Sequence, residues 1–321
     1  MDRSSVEWRG FLVAMPTPFN ARGDLDWDGF DVLVEWIVQQ GVHGIAVAGT
    51  TGEWPALSKD ERHELFRAAA RVVDGRTTLL GGCSAFTPGE AIEYAATALE
   101  AGHDGILLQP PPYSCPNDKE VLAFFHSVSD AVDIPICAYN WPRGTGIDMT
   151  VELQRRLAEI ENVVAMKNST ERLDFFLSGF FALHDRIRYF GIPLNPLGLA
   201  LVRQFGADGT IGAGGALSRV QANFFKHAWA GEDEEALRCG ARDAVLATEW
   251  RQGYAPKFGS GPANQKAAFN LLGLPGGHPR PPLLPLTSAE TDLVRDTLVR
   301  VGLLANGEAA PTPLYSGDAI S

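Results

Sequence analysis

Short apolar runs alternate with longer amphipathic stretches along the first two thirds of the chain. Eight runs have the length of strands and are apolar at consecutive positions, which is typical of parallel strands covered on both faces. The predicted strands are Phe11–Ala14, Ile45–Ala48, Thr78–Gly81, Gly105–Leu108, Ile134–Tyr139, Val163–Lys167, Arg188–Phe190 and Gly209–Ile211.

Helical patterns occupy the stretches between these strands. Ser58 and Thr87 each stand three residues before a glutamate, as in a capping box, and Gly41 and Gly102 each follow the end of a pattern. The named helices are Asp28–Gln40, Lys59–Val73, Pro88–Ala101, Asp118–Ala131 and Thr150–Ile160. The alternation predicts an α/β fold, a (β/α)8 TIM barrel. A doubly wound sheet would give a similar alternation of strands and helices. It would, however, require a phosphate-binding or dinucleotide-binding fingerprint after its first strand, and Met15–Phe19 does not match one.

The strand pattern stops near Ser218, and helices are predicted instead. They cover Gln221–Ala230, Asp233–Arg251, Asn264–Leu272 and Ser288–Val301, with a proline-rich segment at Leu274–Pro285. We therefore expect three regions: a barrel with the active site at 1–217, a C-terminal helical extension at 218–305 packed on the barrel, and a flexible tail at 306–321.

Composition and charge narrow the function classes. The chain has 321 residues, 45% of them hydrophobic, a net charge of −12 and a pI near 5.0, which argues against nucleic-acid or anionic-membrane partners. No apolar stretch of membrane-spanning length occurs, and the first residues carry no apolar signal segment. The four cysteines are widely separated and are expected to be reduced thiols, neither metal ligands nor disulfides. We expect a soluble cytoplasmic protein.

One of the six lysines, Lys167, ends a predicted buried strand. Burial disfavours a charged amine and lowers its pKa, so that a neutral fraction could attack a ketone and form an imine. The alternative is a lysine that ends a strand and extends its ammonium group into water. Lys167 alone does not decide between them.

Other strand ends carry groups that suit imine chemistry. Gly49, Thr50 and Thr51 follow strand 2, where hydroxyls and backbone N–H groups could bind a carboxylate. Tyr113 follows strand 4 in a proline-rich loop, and Tyr139 ends strand 5. The strand ends of a barrel converge on one mouth, so we expect a nucleophile, proton shuttles and a carboxylate anchor to meet there.

The ordered set of motifs resembles the dihydrodipicolinate synthase / N-acetylneuraminate lyase superfamily. It comprises Gly49–Glu53, Tyr139 with Asn140 and Pro142, and Lys167 at 28 positions after the tyrosine. The resemblance runs from about Gly10 to Leu304. It implies a class I lyase, an aldolase or dehydratase, that forms a Schiff base with pyruvate or a related 2-oxo acid and needs no metal or organic cofactor.

The resemblance also implies roles for single residues and for the assembly. Lys167 matches the imine-forming lysine, Tyr139 the proton-shuttling tyrosine and Thr50 a member of the proton relay. Thr51 matches a residue that binds the substrate carboxylate, beside Gly49. Two further matches are Ile211, whose carbonyl would lie near the imine, and Tyr113, a relay tyrosine that reaches in from a neighbouring subunit. A homotetramer, a dimer of dimers, is implied.

One position departs from the synthase pattern. Synthase members carry an arginine directly before Thr-Gly, where it binds the carboxylate of the aldehyde partner. This chain has Gly144 there, and Arg143 comes one residue earlier. We therefore expect a 2-oxo acid lyase that is not an efficient dihydrodipicolinate synthase.

Three alternatives stay open. The protein could be a true 4-hydroxy-tetrahydrodipicolinate synthase that condenses pyruvate with aspartate semialdehyde. It could be a non-catalytic 2-oxo acid sensor on the same scaffold. It could also bind a phospho-sugar at the glycines of 212–215, with Lys167 as a charge clamp.

Overall fold

Eight parallel strands close into a barrel in which each strand pairs with its neighbour in sequence and β8 pairs with β1. The computed structural model describes residues 1–213, 215–252 and 255–305. The strands are β1 (Gly10–Ala14), β2 (Gly44–Val47), β3 (Thr78–Gly82), β4 (Gly105–Leu108), β5 (Ile136–Asn140), β6 (Val163–Asn168), β7 (Arg188–Phe190) and β8 (Gly209–Gly212). The predicted (β/α)8 barrel and its eight strands are confirmed.

Helices connect the strands and cover the outside of the barrel. They are α1 (Trp27–Gln39), α2 (Lys59–Val73), α3 (Pro88–Glu100), α4 (Asp118–Ala131), α5 (Pro142–Thr145), α6 (Val151–Ala158), α7 (Leu173–Leu183), α8 (Pro196–Phe205), α9 (Ser218–Ala230), α10 (Asp233–Trp250), α11 (Gly261–Leu271) and α12 (Ser288–Arg300). Sequence analysis did not name α5, α7 or α8. Helix α7 is apolar over most of its circumference and has no side-chain cap, so it lacks an amphipathic signal.

The strand residues alternate between the barrel interior and the layer of helices. In β5, Cys137 and Tyr139 belong to the inner cluster, whereas Ile136 and Ala138 pack against helices. Trp8 also belongs to the inner cluster, and its ring fills the space where a side chain on Gly105, the first residue of β4, would lie. This packing fills the end of the barrel where strands begin, so the opposite end is the one available for chemistry.

Helix α9 follows β8 and packs on β1, which makes it the eighth helix of the barrel ring. Its residues Phe224, Phe225 and Ala228 belong to the main core, whereas α10, α11 and α12 contribute to a separate cluster around Trp250 and Leu298. The predicted boundary between residues 217 and 218 stays a prediction.

The C-terminal region also contains a short antiparallel pair, β9 (Arg251–Gln252) and β10 (Ala255–Pro256). The expectation that strands end before Ser218 is therefore wrong at this point, because a two-residue ladder leaves no apolar run to detect. The tail predicted at 306–321 lies outside the described residues. Across the described ranges, no helix combines the length and apolarity needed to cross a bilayer.

Candidate active site

Lys167 and Tyr139 are cross-strand neighbours at the mouth of the barrel. The register of β5 and β6 pairs them directly, and both side chains are buried. Lys167 Nζ lies 4.0 Å from the centroid of the Tyr139 ring. The predicted pairing of an amine with a phenol at the strand ends is therefore present in the structure.

The surroundings of Lys167 favour a neutral amine. The side chain is 7% exposed, and burial lowers its pKa from 10.5 to about 8. Among the described residues, no carboxylate forms an ion pair with it. The nearby Cys137 thiol is also buried, which raises its pKa to about 12 and keeps it protonated. Near neutral pH a larger neutral fraction of this amine is thus available for nucleophilic attack than for an exposed lysine.

Buried amides fix the ends of β5 and β6. Asn140 Nδ2 donates to Asn168 Oδ1 and to Asp148 Oδ1, each at 2.9 Å, and Asn168 Nδ2 donates to the Tyr189 hydroxyl at 2.7 Å. These two asparagines directly follow the tyrosine and the lysine of the site. Their network holds the two strands in register from the outer face, and sequence analysis did not foresee it.

The loop after β2 presents the predicted hydroxyls. Thr51 is buried, and Thr50 Oγ1 is a buried oxygen without a hydrogen-bond partner among the described residues. Ala48 and Glu53, which flank the loop, have φ values of 51° and 56°, a left-handed conformation that is unfavourable for residues with a Cβ. Gly49 lies between them. The buried hydroxyl and the strained backbone together mark this loop as a candidate ligand-binding site.

Two other predicted residues occupy different surroundings. Ile211 lies on β8 in the inner cluster, paired with Leu12 of β1. Tyr113 is 95% exposed and has a φ of 72°. Its own chain therefore does not enclose it in the barrel mouth, and an exposed strained tyrosine is consistent with a contact made outside this chain.

The segment after β5 carries its arginine at position 143 and a glycine at position 144. Arg143 is exposed, and a Cβ added to Gly144 would lie 1.9 Å from ring atoms of Trp141. The Trp141 ring stacks on Tyr139, with centroids 6.2 Å apart and an interplanar angle of 15°. An aromatic surface therefore fills the space that a side chain at position 144 would need.

Gln109 is a candidate residue that sequence analysis missed. It follows β4, whose Leu108 pairs with Ala138, so the register places Gln109 next to Tyr139. Leu107 belongs to the inner cluster, and the strand alternation turns Gln109 to the same face. The side chain is 1% exposed, and its Oε1 has no partner among the described residues. A polar residue directly after an apolar strand was the available signal.

Comparisons with known proteins identify the family of this chain. The model of the dihydrodipicolinate synthetase family matches residues 7–300. The 4-hydroxy-tetrahydrodipicolinate synthase of Acidothermus cellulolyticus is 35% identical over 305 residues, which cover 93% of this chain and 94% of the relative.

Solved structures of similar proteins share the fold along nearly the whole chain. The dihydrodipicolinate synthase of Cyanidioschyzon merolae, determined with lysine bound, matches with a TM-score of 0.83 and 30% identity over 92% of this chain and 99% of that one. A monomeric dihydrodipicolinate synthase variant matches with a TM-score of 0.83 and 25% identity over 95% of this chain and 100% of that one.

Proposed function

The chain belongs to the dihydrodipicolinate synthetase family and is a class I, Schiff-base-forming lyase, and we propose that Lys167 forms the imine with pyruvate or a related 2-oxo acid. The observation that carries this assignment is the buried Lys167 amine, whose Nζ lies 4.0 Å from the ring centre of Tyr139 and whose pKa is lowered to about 8. Lys266 is also buried, but it is paired with Glu53.

The chemistry begins when the neutral Lys167 amine attacks the C2 carbonyl carbon. The carbinolamine loses water and becomes a protonated imine, which serves as the electron sink. In an aldol cleavage, the C4 hydroxyl gives up its proton, the C3–C4 bond breaks and its electron pair forms an enamine. Protonation of C3 and hydrolysis of the imine release pyruvate and the free lysine.

Hydroxyl groups at the mouth supply the proton transfers and the anchor. Tyr139 shuttles the protons of the carbinolamine and of C4, with Thr50 as its relay partner. Thr51 and the backbone at Gly49 bind the substrate carboxylate, and the Ile211 carbonyl lies near the imine. The support is the convergence of these strand ends on one mouth and the Thr50 hydroxyl, which has no partner in the portion of the chain that the structure describes.

We further propose a homotetramer, a dimer of dimers, in which the exposed Tyr113 reaches the site of a neighbouring subunit. Its 95% exposure and left-handed φ support a contact of this kind. A cytoplasmic location fits the four cysteines, which are free thiols in the structure, and the acidic composition.

The segment after β5, where the aldehyde partner would bind, supports a substrate other than aspartate semialdehyde. The Trp141 ring occupies the space of a side chain at position 144, and Arg143 stands one position earlier in the short helix α5. A bidentate carboxylate contact depends on where the guanidinium lies, so a carboxylated aldehyde loses its partner. Trp141 offers an uncharged surface instead.

Gln109 indicates which functional group the aldehyde part of the substrate carries. A buried amide oxygen without a partner among the described residues is costly, and a ligand hydroxyl can donate a hydrogen bond to it. We therefore propose that the substrate carries a hydroxyl, and no carboxylate, on the carbons beyond C4.

A turnover screen tests the proposed function. Pyruvate release from hydroxylated 2-oxo acids, and condensation of pyruvate with hydroxylated, unsubstituted and carboxylated aldehydes, would be measured for the wild type and Lys167→Ala. Turnover that requires Lys167 is expected for a hydroxylated partner. Binding of 2-oxo acids without any turnover would instead indicate a sensor.

True 4-hydroxy-tetrahydrodipicolinate synthase activity is the second candidate. It is favoured by the names of similar proteins that match nearly the whole chain. Efficient turnover of pyruvate with aspartate semialdehyde would establish it and would mean that Arg143 reaches the carboxylate across Gly144.

A further inference from the structure

A buried ion pair connects the C-terminal extension to the loop after β2. Lys266, in helix α11, faces the carboxylate of Glu53, which stands two residues after Thr51. Their side chains are 1% and 2% exposed. The loop that carries the proposed carboxylate anchor is thus held from a distant part of the chain.

The ammonium group of Lys266 makes two contacts in addition to the ion pair with Glu53. It donates to the carbonyl oxygen of His278 at 2.7 Å and lies 4.4 Å from the centroid of the Phe19 ring. Burial lowers its pKa to about 8, and the Glu53 carboxylate opposes this shift. The Glu53 carboxylate is thus the contact that favours the charged form of this amine.

The same loop is held at two further points. Glu53 Oε2 accepts a hydrogen bond from the Arg280 backbone at 2.9 Å, and the Gly52 carbonyl accepts one from the Thr17 hydroxyl at 2.9 Å. Glu53 itself has a left-handed backbone, which persists only where surrounding contacts enforce it. The ion pair with Lys266 is a buried charged contact of this residue.

We propose that Lys266 is a positioning residue for the reaction. By fixing Glu53 it holds the Thr50–Thr51 loop in the conformation that binds the 2-oxo acid carboxylate. The inference rests on the roles proposed above for Thr50 and Thr51. Lys266 contacts neither the substrate nor the imine. Its loss should therefore weaken binding of the 2-oxo acid more than it reduces the Lys167 imine that borohydride traps.

The main test is the neutral double variant Glu53→Gln with Lys266→Met, because removing one partner alone leaves a buried unpaired charge. We expect a folded protein whose KM for the 2-oxo acid rises at least about tenfold, equivalent to roughly 1.4 kcal/mol. At saturating pyruvate, borohydride should still trap the Lys167 imine in this variant. A folded double variant with an unchanged KM overturns the proposal.

A matched control is the buried pair of Asp208 and Arg188 at the opposite end of the barrel. The variant Asp208→Asn with Arg188→Met should change stability without raising the KM. If both double variants raise it equally, the effect is general loosening and the positioning role is refuted.

A conservative variant covers the case in which the double variant does not fold. Glu53→Asp keeps the charge but shortens the side chain by one methylene, so the ion pair can form only if the loop moves. A raised KM in the folded Glu53→Asp protein supports the proposal, and an unchanged KM overturns it. Absence of any Lys167 imine in the wild type would instead defeat the proposed function, which makes the two failures distinguishable.

Discussion

Replacing Lys167 by methionine should stabilise the fold at neutral pH while abolishing catalysis. The wild-type amine is buried and has no carboxylate partner within the described part of the chain, and its pKa falls from 10.5 to about 8. Below pH 8 the folded protein therefore keeps an unfavourable buried charge. Methionine has similar length and no charge, so it removes this penalty.

The pKa shift sets both the magnitude and the pH window. A shift of this size corresponds to roughly 3 kcal/mol of differential stabilisation between the two protonation states. The folded-state pKa is depressed, so the penalty is complete below about pH 8 and is relieved as pH rises toward the unfolded value of 10.5. The stability gap between Lys167→Met and wild type should be about 3 kcal/mol at pH 7 and about 1 kcal/mol at pH 9.5.

The assay is urea unfolding at both pH values at one protein concentration, with Lys119→Met as the control for an exposed lysine. The other titrating groups are common to both proteins, so they cancel in the difference. A Lys167→Met variant less stable than wild type at pH 7, or a gap that does not narrow with pH, would refute the reasoning that burial makes this amine nucleophilic.

Three further predictions concern the reaction. Tyr139→Phe, and in the same direction Thr50→Val, should lower turnover by roughly 10²–10⁴ with an intact circular-dichroism spectrum; full activity would remove the tyrosine from the proton path. The wild-type kcat/KM for pyruvate with aspartate semialdehyde should stay below about 10⁴ M⁻¹s⁻¹; Gly144→Arg alone should not raise it, whereas adding Trp141→Val should. Gln109→Leu should reduce the preference for a hydroxylated over an unsubstituted aldehyde by roughly tenfold or more; an unchanged preference would exclude this contact.

The strands and the central pair could be predicted from sequence because each depends on local pattern. Buried parallel strands are continuous apolar runs, and a closed barrel brings their carboxyl ends together, so Tyr139 and Lys167 at consecutive strand ends were expected to meet. Their roles came from the resemblance, since an apolar run ending in lysine also fits a structural lysine.

The remaining features depend on contacts between segments far apart in sequence. Nothing in the sequence pairs Glu53 with Lys266, because the contact requires α11 to pack beside the loop after β2. The collision between Trp141 and a side chain at position 144 depends on the orientation of a ring that stacks on Tyr139. Gln109 could have been named as a candidate, because it is a polar residue directly after an apolar strand. Whether its side chain faces the barrel interior or the helices depends on the strand register, which the sequence does not show.

Reductive trapping tests the central claim most directly. The protein would be incubated with pyruvate and borohydride, weighed intact and digested for peptide mapping. We expect one reduced pyruvyl group per chain, located on the peptide that contains Lys167, and none in Lys167→Ala. Lys266 is an internal control, because it is also buried and has a similarly lowered pKa, yet it is paired with Glu53. The absence of an adduct, or an adduct on Lys266 that persists in Lys167→Ala, would contradict the account.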